Sequence, residues 1–263
     1  MNVIGLPLFF TCKNRWRSFG ETLIGFGLLF IGLSLLNDQV PTASDITGGA
    51  ADTVKYWITF IQESQYFSTI LFLIAGIILT LVVQSSSAAM AITIACAWNG
   101  WLGTDPEMVF VSCAAIVLGE NIGTTVTAWL ASLSANVNAK RAARAHFLFN
   151  VIGTLWAIIL IVPLTSLIWN SLHIFPEWMI EIKTKKADGG IPPELIKVAF
   201  AVAIFHTTFN LTNILLLLPF TKKIASIVEK WVKDKPEGED APTIQYISQN
   251  LVDLGELNIV EAD

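Results

Sequence analysis

The sequence predicts an all-α integral membrane protein, and three observations carry that prediction. Of 263 residues, 54% are hydrophobic and 14% charged, whereas soluble domains carry about 25% charged residues. Mean hydropathy is +0.62. The few charges are also segregated: no Asp, Glu, Lys or Arg occurs in 64–104, 145–176 or 198–221, windows of 41, 32 and 24 residues. About 20 apolar residues cross a hydrocarbon core of ~30 Å. This arithmetic sets aside a cytosolic enzyme, a secreted disulfide scaffold and a nucleic-acid binder. The net charge of −5 is small and sits mostly in the tail.

The chain opens on MNVIGLPLFFTCKNRWR. It has no basic stretch before its apolar run, so it does not read as a signal peptide. We read 1–18 as the end of an earlier span followed by a basic cytoplasmic turn at Lys13, Arg15 and Arg17. That reading makes the chain a piece of a longer protein. An apolar stretch at 19–36 follows, then an acidic turn-rich loop at 37–52 and an amphipathic piece at 54–63.

The window 64–104 is the informative one. As a single straight helix its 41 residues would run roughly 60 Å at 1.5 Å per residue, about twice the membrane. It must break, and its one polar cluster, Gln84, Ser85, Ser86 and Ser87, marks where. Two apolar arms remain, 66–83 and 88–98, consistent with a hairpin that dips in and returns; a single crossing by this window, with the next one returning, is the alternative. The stretch 108–134 repeats the pattern on a smaller scale. Glu120, Asn121, Ile122, Gly123, Thr124, Thr125, Val126 and Thr127 separate two short apolar pieces, and a second broken helix is expected there. A basic loop with Lys140, Arg141 and Arg144 comes next, then two spans at 146–172 and 198–220, and an amphipathic then acidic linker at 221–263. The basic clusters at 13–17, 140–144 and 222–235 belong in the cytoplasm; Lys183, Lys185 and Lys186 argue against a clean assignment.

Backbone groups freed by a helix break survive in a membrane only where protein or a cavity covers them. Transporters use such breaks near the midplane, where helix N-termini meet anions and freed carbonyls meet Na⁺. Ser85, Ser86 and Ser87 can cap the second arm and offer hydroxyls and N–H groups to an oxyanion. Asn121, Thr124, Thr125 and Thr127 offer neutral oxygens of the kind hard cations take. Neither cluster contains Lys or Arg, so a bound anion needs its charge offset by helix ends and a co-bound cation, which points to symport. The competing explanation is that Ser and Thr simply pack helices together in membranes.

The segments VVQSSSAAMAITIA, LGENIGTTVTAWLASLSANVNAKRAARAHFLFNVIGTLW and FHTTFNLTNILLLLPF resemble the bacterial branch of the type II sodium–phosphate cotransporter family. The resemblance covers most of 19–220. It implies inverted repeats, each with its own QSSS motif, co-transporting Na⁺ with inorganic phosphate across the bacterial cytoplasmic (inner) membrane as a multi-pass protein. By that resemblance Gln84, Ser85, Ser86 and Ser87 bind substrate. Gln84, Ser85, Asn121, Thr124, Thr125 and Thr127 bind Na⁺, and no other metal or cofactor is implied. This chain carries one QSSS and one NIGTT and resembles the second repeat, so the first repeat is an expected partner. The tail IQYISQNLVDLGELNIVEAD resembles the linker that in bacterial relatives leads into a helical PhoU-like domain. Transport of another oxyanion, or a non-transporting membrane subunit, are the alternatives.

Other residues take more ordinary expectations. Glu120 is an intramembrane carboxylate, costly unless functional or paired; a role in cation coupling and a structural role, with the 140–144 loop as one candidate partner, are the two readings. His206, Asn210 and Asn213 form a polar stripe that suits interhelical hydrogen bonds better than ligation. Cys12, Cys96 and Cys113 read as small buried hydrophobes. Trp98, Trp101, Trp169 and Trp178 read as interfacial belt residues, and His146 as interfacial. No nucleophile–base pair, P-loop or metal-spaced His/Cys cluster is present, so an enzyme is not expected.

Overall fold

The computed structural model describes residues 2–10, 14–40, 53, 56, 65–176 and 193–234. Nine α-helices occur among them: α1 Asn2–Phe9, α2 Asn14–Gln39, α3 Gln65–Val83, α4 Ser86–Trp98, α5 Pro106–Ala131, α6 Val137–Ile159, α7 Ile161–Ser171, α8 Pro193–Leu217 and α9 Thr221–Trp231. No strand is found among the described residues. The amphipathic piece at 54–63 apart from Tyr56, the loop at 177–192 and the tail beyond 234 lie outside the described residues, as do Cys12, Lys13, Trp178, Lys183, Lys185 and Lys186.

Among the described residues, three stretches are long and apolar enough to cross a membrane: Pro106–Ser134, Val137–Ile159 and Glu194–Trp231. The first is 72% buried inside the protein, against 28% and 33% for the other two, which makes α5 the hub. Its start is firmly marked. Asp105 caps it by accepting from the N–H groups of Glu107 at 2.9 Å and Met108 at 3.1 Å, with Pro106 in the first turn. Proline costs nothing there because that N–H would be unpaired anyway. The turn leading into Asp105 needs left-handed backbone at Gly100 (φ 78°) and Gly103 (φ 107°), which glycine adopts without a steric cost.

Around this hub the helices close through small residues. A Cβ on Gly119 would run into the backbone carbonyl of Leu73, and one on Gly76 into that of Ile116. A Cβ on Gly123 would stand 2.7 Å from Cβ of Thr80. These contacts put Leu73 beside Gly119 and Thr80 beside Gly123, so α3 and α5 run parallel at backbone contact. Helix α4 then meets α5 through Thr93, whose hydroxyl donates to Glu120 Oε1 at 2.9 Å. Had α4 continued in the direction of α3 it would have moved away from Glu120 toward the end of α5. The chain instead doubles back between Val83 and Ser86, forming the expected hairpin.

Helices α6 and α8 pack on the other side of the hub. Thr154 Oγ1 donates to the Leu118 carbonyl, and the Trp129 and Phe147 rings meet edge to face at 4.9 Å. An aromatic seam of Phe110, Trp169, Phe205, Phe209 and Trp156 joins α5, α7, α8 and α6. Asn213 is fully buried where α8 crosses α6; it donates to the Phe149 carbonyl and accepts from Trp156 Nε1 at 3.2 Å, lying against Gly153. The polar stripe thus serves interhelical bonding at Asn213, while Asn210 bonds back to the His206 carbonyl within its own helix.

Four sequence expectations are corrected. Residues 108–134 do not form a broken helix: α5 runs unbroken from Pro106 to Ala131 and closes on a short 3₁₀ turn, Ser132–Ser134. The polar side chains that suggested a break are satisfied by their own helix. Thr124, Thr125 and Thr127 donate to the carbonyls of Asn121, Ile122 and Thr124, and Asn121 Nδ2 donates to that of Val117. The expected loop at 140–144 is instead the opening of α6, capped by Asn136 on the Ala139 N–H at 2.9 Å. The expected single span 146–172 is divided at Leu160 between α6 and α7, because Pro163 has no N–H for the Ile159 carbonyl. Lastly, Glu120 bonds with Thr93 and not with the basic cluster.

That cluster holds α9, the amphipathic helix that follows α8. Arg141 pairs with Asp234 at 3.0 Å and donates from Nε to the Val232 carbonyl. Arg144 lies over the rings of Trp129 and Trp231 at 5.4 and 5.6 Å, and those two rings meet at 5.3 Å. Trp98, expected at an interface, ties α4 to α8 by donating to the Leu195 carbonyl at 3.0 Å. Trp169 packs in the aromatic seam. Cys113 is fully buried and Cys96 half-buried, both as free thiols.

Candidate functional site

The hairpin tip is built by two residues of opposite habit. Gln84 closes α3, its N–H donating to the Thr80 carbonyl at 2.7 Å, and then turns left-handed with φ 56°. It is the one non-glycine residue with positive φ among the described residues. Left-handed backbone costs a side-chain-bearing residue roughly 1–2 kcal/mol, so such a residue marks a place where the surroundings dictate the chain path. Ser85 is extended and caps α4, its hydroxyl accepting from the Ala88 N–H at 3.3 Å. Ser86 and Ser87 open α4, where N–H groups have no partner within the helix. The break is therefore only two residues wide, and the serines belong to the start of the second arm.

Gln84, Ser85, Ser86 and Ser87 are all exposed in this chain. The expectation of a break buried within protein is therefore not met by the described residues, for a simple reason. The tip lies beyond the last glycine contact between α3 and α5, that of Gly123 with Thr80, and no described element covers it. What the tip presents is an uncharged group of hydroxyls, one amide and the positive end of the α4 dipole, a surface that suits an anion.

The second predicted group stands on the neighbouring helix. Thr125 is buried; Asn121, Thr124 and Thr127 are half-buried. Because α3 and α5 run parallel with Thr80 at Gly123, Gln84 comes level with the Thr127 end of that group, one turn further on. The two clusters thus lie at the same end of the hairpin, although no described hydrogen bond joins them. Each threonine hydroxyl spends its proton on a helix carbonyl and keeps lone pairs free to face a cation.

Sequence reasoning overlooked two residues here. Thr80 and Thr93 are almost wholly buried against the polar stretch of α5, at 0% and 2% exposure. Each stands alone in an apolar run, Thr80 within 70–83 and Thr93 within 88–98, which in sequence looks like packing. Of the cavities, one of about 120 Å³ lies between Ser68, Glu107, Ser112, Thr165 and Trp169, away from all the predicted ligands. Among the described residues no group of three or more His, Cys, Asp or Glu could hold a metal ion.

Among the described residues, an all-helical arrangement with three helices long and apolar enough to cross a bilayer, and a capped, uncharged helix break beside the most buried of them, is the architecture of a membrane protein. Comparison with known proteins gives a family match: the model of the Na⁺/Pi-cotransporter family matches residues 45–170, the segment that carries both clusters. The chain is 26% identical over 231 residues to the uncharacterized protein YqeW of Bacillus subtilis, covering 88% of this chain and 63% of that one. It is 24% identical over 260 residues to YjbB of Escherichia coli K12, named for inorganic phosphate export, covering 98% of this chain and 41% of that one. A YjbB of Salmonella typhimurium matches to the same extent. The chain therefore spans less than two thirds of the length of each of these relatives. No solved structure matches it.

Proposed function

We propose that this chain supplies one repeat, the second, of a sodium-coupled symporter of inorganic phosphate in the bacterial cytoplasmic membrane. The observation that carries the reading is the hairpin tip. A helix start with unpaired N–H groups and three serine hydroxyls, free of any cationic side chain, is placed beside a threonine-rich helix. In this reading α3 and α4 form a re-entrant hairpin, phosphate meets Gln84, Ser85, Ser86 and Ser87, and Na⁺ meets Gln84, Ser85, Asn121, Thr124, Thr125 and Thr127. The cation offsets the anion's charge, which is why both must travel together. Exposed polar backbone cannot face lipid, so the tip is covered by the first repeat of the same transporter, related by inversion, and alternating access rocks one repeat against the other. The name of YjbB speaks of export; a symporter runs in either direction, as its gradients dictate. Sulfate or another tetrahedral anion fits the same hydroxyl chemistry, and the family favours phosphate.

The cation assignment makes a separable prediction. In a complete, active transporter Thr124→Ala or Thr127→Ala raises the Na⁺ concentration for half-maximal uptake by roughly tenfold, the worth of about one good ligand at 1.4 kcal/mol. Phosphate affinity at saturating Na⁺ stays where it was. Loss of phosphate affinity with an unchanged Na⁺ response would move the cation away from these threonines.

A further inference from the structure

Glu120 stands at the midpoint of the span Pro106–Ser134 and is 2% exposed. Its Oε1 accepts the Thr93 hydroxyl, while its Oε2 is buried with no hydrogen-bond partner. The ion pairs among the described residues are Arg17–Glu21 and Arg141–Asp234, neither of which involves it. An ionised carboxylate held in this way, without a positive charge beside it, is one of the most costly arrangements a membrane interior can contain. A second buried oxygen stands on the neighbouring helix α3. Thr80 is fully buried against Gly123, one turn from Glu120 on α5, and its hydroxyl too has no hydrogen-bond partner. Thr93 on α4 and Thr80 on α3 thus both pack on the stretch of α5 from Glu120 to Gly123, which carries two orphaned oxygens and the spare lone pairs of Thr93. They are hard oxygen donors, the set that alkali cations take in preference to transition metals.

We propose that Glu120, Thr93 and Thr80 hold a Na⁺ ion at the centre of the membrane, a cation site separate from the hydroxyls of Thr124 and Thr127. The ion supplies the missing positive charge and satisfies both orphaned oxygens at once. The proposal rests on the sodium-coupled reading above, yet it can be tested without transport.

A hydrophobic carbodiimide adds to a protonated carboxyl from the lipid phase, and a carboxylate occupied by Na⁺ is protected from it. The purified full chain in lipid vesicles is treated with the reagent in choline chloride and in rising NaCl at fixed pH, and modification of Glu120 is followed by peptide mass. Na⁺ is expected to slow the modification in a saturable manner, with Glu120→Gln unlabelled. Thr80→Val, which keeps the shape and removes the hydroxyl, shifts half-protection to about tenfold higher Na⁺, a 1.4 kcal/mol loss, while Thr80→Ser keeps it near wild type. Modification that falls with rising pH but ignores Na⁺ would identify a proton as the occupant and overturn the proposal. If Glu120 takes no label even in choline, equilibrium binding of radioactive sodium decides. One ion fewer in Glu120→Gln supports the site, and equal binding overturns it. Protection by Na⁺ in a preparation that never moves phosphate under any pairing would retire the transport reading and leave the site standing.

Discussion

Gly119→Ala is expected to destabilise the protein by about 3 kcal/mol, the upper part of what overpacking costs. One methyl group added at Gly119 meets the Leu73 carbonyl oxygen, a backbone atom that can give way only if α3 and α5 separate. Their separation would open the contacts of Gly76 with Ile116 and of Gly123 with Thr80 along the same seam. Gly25→Ala is the matched control. A Cβ there meets nothing within 4 Å, so the substitution stays within about 0.5 kcal/mol or stabilises slightly, as exposed helical sites do. Unfolding both variants in mixed micelles measures the difference. Equal stabilities would mean that α3 and α5 are not in backbone contact.

The second large effect falls on the hairpin tip. In a complete, active transporter, replacing Ser85, Ser86 and Ser87 together by alanine is expected to raise the phosphate KM by at least about a hundredfold. Each hydrogen bond to a charged ligand is worth about 1.5–3 kcal/mol, and the three hydroxyls act on one anion. Ser85 alone also caps α4, at a cost of about 1 kcal/mol of helix stability, so circular dichroism and unfolding run beside the uptake assay. A variant that folds as wild type and keeps its phosphate KM would remove the serines from the substrate site.

Which features were legible in the sequence follows from which forces act locally. The hairpin break was legible because a length mismatch admits few solutions: 41 uncharged residues cannot stand straight in a core of ~30 Å. Its polar cluster marks the spot because only Gln84 and Ser85 lie outside the helices. The second break was misread for a reason that is also local. Threonine in an apolar helix can return its proton to the carbonyl one turn back, as Thr124, Thr125 and Thr127 all do, so polarity by itself does not interrupt a helix. Gly119 and Gly123 carried a second signal in the same stretch. Four residues apart, they form a small-xxx-small pair, the sequence mark of close helix approach in membranes, and that signal could have placed α3 against α5.

The partners of Glu120 were beyond sequence reading. Thr80 lies 40 residues before it and Thr93 lies 27 before it, on two different helices, and only the hairpin's return brings them to one place. Exposure of Gln84 and the serines was likewise not legible, because it depends on what the described chain can cover rather than on what those residues prefer.

The account stands most directly on one reconstitution. The chain is placed in liposomes alone, and in parallel with a separately expressed first repeat, under an inward Na⁺ gradient with labelled phosphate outside. The predicted result is no accumulation by the chain alone, and uptake in the paired vesicles that collapses when the gradient is dissipated. Two copies of this chain cannot complete the site between themselves, since the basic residues of 13–17 and 222–235 bias every copy to the same orientation, whereas the cage needs opposite ones. Robust gradient-driven uptake by the chain alone, or uptake in the paired vesicles that ignores Na⁺, would contradict the assignment of this chain as one repeat of a sodium-coupled phosphate transporter.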